Sequence, residues 1–225
     1  MTCTDHERID CRVKFACRFA CFAIALMMHG VMHAQQQNAS AETFGEAEVT
    51  ADAVPPEVVQ SASNAVAALG NEVVLGRYQA ALERMNPLWK ERISQRMGGM
   101  EALESQLAKV PQEMVRQGIT MLSSKPEGKP VVHQVGPQKG KNGNLVYTKW
   151  LVLVPTMTKF RLIREGNPKP LVIESLGYQV AISSKDKLDW TFIDGAGLKI
   201  SDLRSLFITL PFNLELPPVS KREAR

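Results

Sequence analysis

The chain has 225 residues and a formal charge of +4, from 27 Lys+Arg against 23 Asp+Glu. That length suits one large or two small domains at about 100–200 residues each. An apolar share of 44% with 22% charged residues excludes a disordered chain and a membrane bundle, and the small charge excludes a polyanion-binding footprint unless the basic residues cluster.

The N-terminus carries Arg8, Arg12, Lys14 and Arg18, then an apolar run from Phe19 to Met28, then Val31-Met32-His33-Ala34 before Gln35-Gln36-Gln37. A basic flank, a short apolar run and a small residue before polar sequence form the pattern of a secretory signal peptide. The run is shorter than the ~20 apolar residues of a spanning helix. The spacing therefore predicts a signal peptide over residues 1–34, with an uncleaved anchor as the alternative, a periplasmic or secreted product, and no stable membrane span after cleavage. All four cysteines and three of the four histidines lie in that leader. The remaining 191 residues hold 23 basic and 20 acidic side chains, one histidine and no cysteine. A cysteine-free chain suits an oxidising compartment and takes its stability from apolar burial alone.

Residues 35–57, acidic and small with Phe44 as the one aromatic, read as a flexible tether. Asn38-Ala39-Ser40 matches a glycosylation sequon, a short pattern that carries little weight. Residues 58–210 read as a single α+β domain and 211–225 as an extended tail. The helical part starts with residues 57–69, which should stop at Gly70. A second helix from Asn71 or Glu72 carries the stripe Tyr78, Leu82, Met85 and Trp89, with a break at Asn86-Pro87 and an end at Met97-Gly98-Gly99. A third from Met100 presents Leu103, Leu107 and Val110, is disrupted by Pro111, and is followed by a short turn over 112–121.

Past Ser124 the period becomes that of strands. Expected strands are 131–135, 145–154, 158–164, 171–183 and 188–193. Asn142-Gly143 marks a hairpin, Pro155 a bend or end, Gly166-Asn167-Pro168 a turn, and Gly177 a bulge or bend. Ser201 should cap a helix over 202–210, stopped by Pro211. Helices followed by a strand meander predict N-terminal helices packed on a curved, mainly antiparallel sheet of four to five strands.

The helix around Gly76-Arg77-Tyr78-Gln79-Ala80-Ala81-Leu82 and the ending Trp190-Thr191-Phe192-Ile193-Asp194-Gly195 carry a resemblance. Over roughly residues 71–210 the chain resembles small exported bacterial members of the nuclear-transport-factor-2-like (cystatin-like cone) superfamily. The resemblance implies helices in the hollow of a curved sheet. Enzymes of that group use an Asp/His pair in the cone, and here only His133 can supply the histidine outside the leader. The helix at 57–69 and the Pro/Gly-dense connection 125–144 depart from the pattern.

One histidine and no cysteine exclude a His/Cys zinc site, and no metal or cofactor is expected. Gly195-Ala196-Gly197-Leu198-Lys199 lacks the spacing of a phosphate loop and reads as a turn. No catalytic set is assigned; the candidates are Asp194 as a pocket acid or turn cap, His133 as a base or strand residue, and Glu174 as a second carboxylate. Trp150, Tyr178 and Trp190 are core residues first and ligand contacts if the sheet encloses a cavity. Basic residues concentrate in 139–164, as Lys139, Lys141, Lys149, Lys159, Arg161 and Arg164, of which Lys149, Lys159 and Arg161 read as a solvated strand face. Together these features favour an exported, non-enzymatic domain binding a small apolar ligand or an envelope protein, with no nucleic-acid partner and a homodimer through the sheet face as a further option. The alternative is a cofactor-free hydrolase, isomerase or dehydratase using a carboxylate in a cone-shaped pocket.

Overall fold

A computed structural model describes residues 54–164 and 167–224, so the leader, the Asn38 sequon and most of the tether lie outside the described residues. Helices come first: α1 (Pro56–Val74), α2 (Gln79–Glu83), α3 (Pro87–Met97) and α4 (Met100–Arg116). Strands follow as β1 (Ile119–Pro126), β2 (Val131–Lys139), β3 (Leu145–Arg164), β4 (Asn167–Ser184) and β5 (Thr191–Asp194), then α5 (Ile200–Leu206) and β6 (Ser220–Glu223). The layout is α+β, with the helices N-terminal to an open antiparallel sheet of six strands.

Two helices run past the residues expected to stop them. α1 continues through Gly70 to Val74 because the glycine serves packing, not termination. A Cβ at position 70 would stand 2.6 Å from the Ser124 carbonyl oxygen, so the helix lies directly on the backbone of β1. α4 continues through Pro111 to Arg116. Its buried stripe, Leu103, Leu107, Val110 and Met114, extends beyond the proline, and burial at about 1.5–3 kcal/mol per large side chain offsets one lost backbone hydrogen bond. The chain then enters β1 at Ile119, where a turn was expected.

The Asn86-Pro87 break is present: the Asn86 side chain accepts from the Trp89 N–H at 3.4 Å, with Pro87 in the first helical position. Between α2 and α3 the chain is extended and lines β5, where Asn86 N–H donates to Phe192 O and Phe192 N–H to Arg84 O, both at 2.8 Å. Leu82, Met85 and Trp89 are thus all buried, from two helices and an extended link, while Tyr78 is half-buried.

β3 and β4 pair without a slip from Lys149↔Ser184 to Leu162↔Leu171. The predicted bulge at Gly177 is absent, since Gly177 sits in register opposite Thr156. β3 also runs unbroken through Pro155, which was expected to bend or end it. The reason lies on its other edge, where β2 pairs up to Leu153 and β1 begins at Thr156. Pro155 occupies the seam between them, so its missing donor costs no ladder bond, and its carbonyl accepts from Glu127 N–H at 2.9 Å. The outer edge of β4 is shared likewise by β5 and β6. Six strands therefore fill four positions.

The C-terminal elements also differ in detail. α5 starts at Ile200, before the expected Ser201 cap, and Asp202 Oδ2 accepts from Lys199 N–H at 3.3 Å. It ends at Leu206, after which Phe207, Leu210 and Leu214 are buried. The segment expected as an extended tail ends in β6, paired with β4.

Among the described residues buried side chains form three clusters. Trp150, Val152 and Val154 pack with Val58, Ala62, Val66 and Leu69 of α1. Leu151 and Leu153, which alternate with them along β3, pack with Trp89, Ile93, Leu103, Leu107 and Leu203. Helices thus cover both faces of the sheet at this end. Farther along β3, Phe160 and Leu162 join Val110, Met114, Ile119 and Ile173, while Arg161 and Ile163 of the alternate face are exposed.

The close approach at Gly70 fixes the sign of a substitution. Alanine is better in a helix by about 1 kcal/mol, but overpacking against a backbone carbonyl costs about 1–3 kcal/mol. Gly70→Ala should lower the urea unfolding midpoint; a raised midpoint would mean that α1 stands clear of β1.

Candidate functional site

Asp194 ends β5 opposite Gln179. Its Oδ1 accepts from Gln179 Nε2 and from Ala196 N–H, each at 3.3 Å, which is the geometry of a turn cap. The following Gly195 donates its N–H to Tyr178 O at 2.9 Å. A Cβ there would fall 2.6 Å from three atoms of the Tyr178 ring, so only glycine lets the ring lie on this turn. Burial, and then the Asp194 charge, push the Tyr178 hydroxyl pKa upward, keeping the phenol neutral.

His133 lies on β2 opposite Leu151, half-buried, with Nε2 enclosed and without a hydrogen-bond partner among the described residues. Burial lowers its pKa from 6.5, so the neutral imidazole is favoured. The register His133–Leu151–Ile182–Thr191 puts three strand spacings between β2 and β5. With Asp194 three residues farther on, the two backbones stand roughly 17 Å apart. Strand alternation also places Asp194 beside Phe192 on the α1 side, and His133 beside Leu151 on the other.

Glu174 stands apart from both. It is opposite Lys159 on one side and Arg222 on the other. Lys159 Nζ meets Oε1 at 2.7 Å, and Arg222 reaches Oε2 through Nε at 2.9 Å and Nη2 at 2.8 Å. These hydrogen bonds hold the carboxyl below its ordinary range. A three-strand ladder thus ties β6 to the sheet. Arg222, in the predicted tail, gave no sequence signal of this role.

The aromatic candidates divide between faces. Trp150 and Trp190 are buried together under α1, and Trp190 Nε1 donates to Ser61 Oγ at 2.8 Å. Tyr178 belongs to the opposite cluster. Lys185, which sequence reasoning missed, places Nζ 4.3 Å from the centre of the Trp150 ring and donates to Gln134 Oε1 at 2.6 Å.

The basic residues that read as one strand face also divide. Lys159 is committed to Glu174. Lys139 and Lys141 lie at the tip of the β2–β3 hairpin, whose turn closes through Gly140 N–H to Asn144 O at 2.7 Å. β4 pairs with β3 only from Lys149 onward, and Thr148 O accepts from Lys185 N–H at 2.9 Å just beyond it, so Leu145–Tyr147 and their β2 partners project past this edge. Every residue from 141 to 146 is exposed, with Leu145 at 59% and Val146 at 49%. No acidic residue occurs in the sequence between Glu127 and Glu165. Among the described residues no group of three or more His, Cys, Asp or Glu is placed to hold a metal ion, and no helix is long and apolar enough to cross a membrane.

Both depressed pKa values make stability fall on acidification. The His133 contribution is present above pH 6.5 and declines below it; that of Glu174 is present above the ordinary carboxylate range and declines as pH falls through its lowered value. Hydrogen exchange should show Ser220–Glu223 losing protection in acid, and Glu174→Gln should lose it already at neutral pH. Unchanged protection in that variant would remove the ladder's role. Trp190→Phe, which strands the Ser61 hydroxyl, should cost about 1 kcal/mol in thermal unfolding; an unchanged transition would mean that this bond contributes nothing.

Comparison with known proteins finds no matching family model, no matching curated protein and no matching solved structure.

Proposed function

We propose that this protein is an exported, non-catalytic binding domain that meets its partner through the β2–β3 hairpin. The observation that carries the reading is that hairpin itself: exposed Leu145 and Val146 beside Lys139 and Lys141, on two strands that project beyond β4. Export rests on the leader pattern of residues 1–34. The order of helices before an antiparallel sheet supports keeping the cone-fold resemblance as part of the proposal. The aromatic side chains first considered as ligand contacts are engaged in packing, which favours an outer surface over an enclosed ligand. An enzyme built on Asp194 would need a second polar group beside it, and neither His133 nor Glu174 is that group.

Site-specific photo-crosslinking in cells tests this reading. A crosslinker at Val146 should give an adduct, to a protein or to lipid, and one at exposed Lys109 on α4 should not. Equal adducts at both positions, or none at either, would overturn it.

A further inference from the structure

We propose that the β2–β3 hairpin docks on an anionic phospholipid surface, an inference that rests on the binding reading above and names what is bound. The register sets Lys139 opposite Leu145 and Gln138 opposite Val146, so cationic and aliphatic side chains share one tip. Leu145 lies three residues beyond Thr148, whose carbonyl still accepts from Lys185 N–H at 2.9 Å just past β4, which carries the tip about 10 Å beyond that contact. Apolar groups at a membrane surface bury about 5–10 Å into the headgroup boundary, a depth this projection reaches with the body of the protein still outside.

Charge complementarity selects the lipid. The segment between Glu127 and Glu165 holds lysines and arginines and no acid, so nothing on the hairpin opposes a negative surface. The cations in its tip half are lysines, Lys139, Lys141 and Lys149, while Lys159, Arg161 and Arg164 lie toward the far end of β3. Protein interfaces are enriched in arginine and aromatic anchors and depleted in lysine, whereas a lysine cluster beside small aliphatics is what an anionic bilayer attracts. Two aliphatic side chains are too few to anchor the protein alone, so binding requires both parts of the tip and is reversible.

The test is co-sedimentation of the full chain with phosphatidylcholine vesicles, with and without phosphatidylglycerol. The binding advantage of the full chain over its hairpin variants should appear only with the anionic lipid and collapse near 1 M salt, where the screening length is about 3 Å. Each lysine near such a surface is worth about fivefold in partitioning, so Lys139→Glu combined with Lys141→Glu should weaken binding at least twentyfold. Lys109→Glu should leave it unchanged. Leu145→Ser should weaken binding to anionic vesicles with the salt dependence retained. The leader's apolar run is common to all these chains, so only differences among them are read. An unaltered thermal transition in each variant separates loss of docking from loss of fold. A hairpin-variant effect of equal size on neutral vesicles, or indifference to the paired lysine reversal, overturns the inference. If the hairpin variants bind vesicles as the full chain does but the Val146 adduct persists and is to a protein, the lipid inference falls and the binding-domain reading stands; if the adduct is also lost, both fall.

Discussion

The unbroken pairing of β3 with β4 is the constraint on which the rest of the molecule depends. Between Lys149 and Leu162 the register holds, and every other strand attaches to one outer edge of this pair. Each edge is assembled from two shorter strands laid end to end. Between Pro126 and Val131 the chain spends five residue steps while β3 advances only from Thr156 to Leu153, so the link contains two residues more than the ladder needs. That slack gives Pro155 a place where no partner expects its N–H.

Helices then attach according to which face of this ribbon they meet. Trp150, Val152 and Val154 hold α1, whereas Leu151 and Leu153 hold α3, α4 and α5. Enclosing both faces brings Trp150, Trp190 and Tyr178 into the packing, and the same alternation separates Asp194 from His133. Side chains with the chemistry for a site are thereby committed to structure: one to a turn, one to a strand interior and one to a ladder. Residues 141–146 of the β2–β3 hairpin, all exposed, lie outside this enclosure.

Much of this was legible in sequence, and the failures share a cause. The apolar spacing of Leu82, Met85 and Trp89 marked a buried face correctly, although the residues come from two helices and a link. Asn86-Pro87 and Asn142-Gly143 announced their turns because the chemistry of both is local. Gly70, Pro111, Pro155 and Gly177 misled because their local preferences were overridden by distant groups: the Ser124 carbonyl, the stripe continuing to Met114, the seam between β1 and β2, and the register with Thr156. Asp194 read rightly as a turn cap from its place before a glycine. The lysines at the hairpin tip were visible as charge, but their projection past β4 depends on where that strand stops pairing, which no local pattern records.

Unequal cover along β3 gives the molecule a hard end and a soft end. Residues 150–154 are enclosed from both sides, while at 159–163 one face meets water and the neighbouring edge strand β6 is short and wholly exposed. Breathing motions therefore start where the C-terminus is stitched on and die out toward Val152. The hairpin grows from the hard end, so a force applied to its tip passes into the most rigid part of the protein.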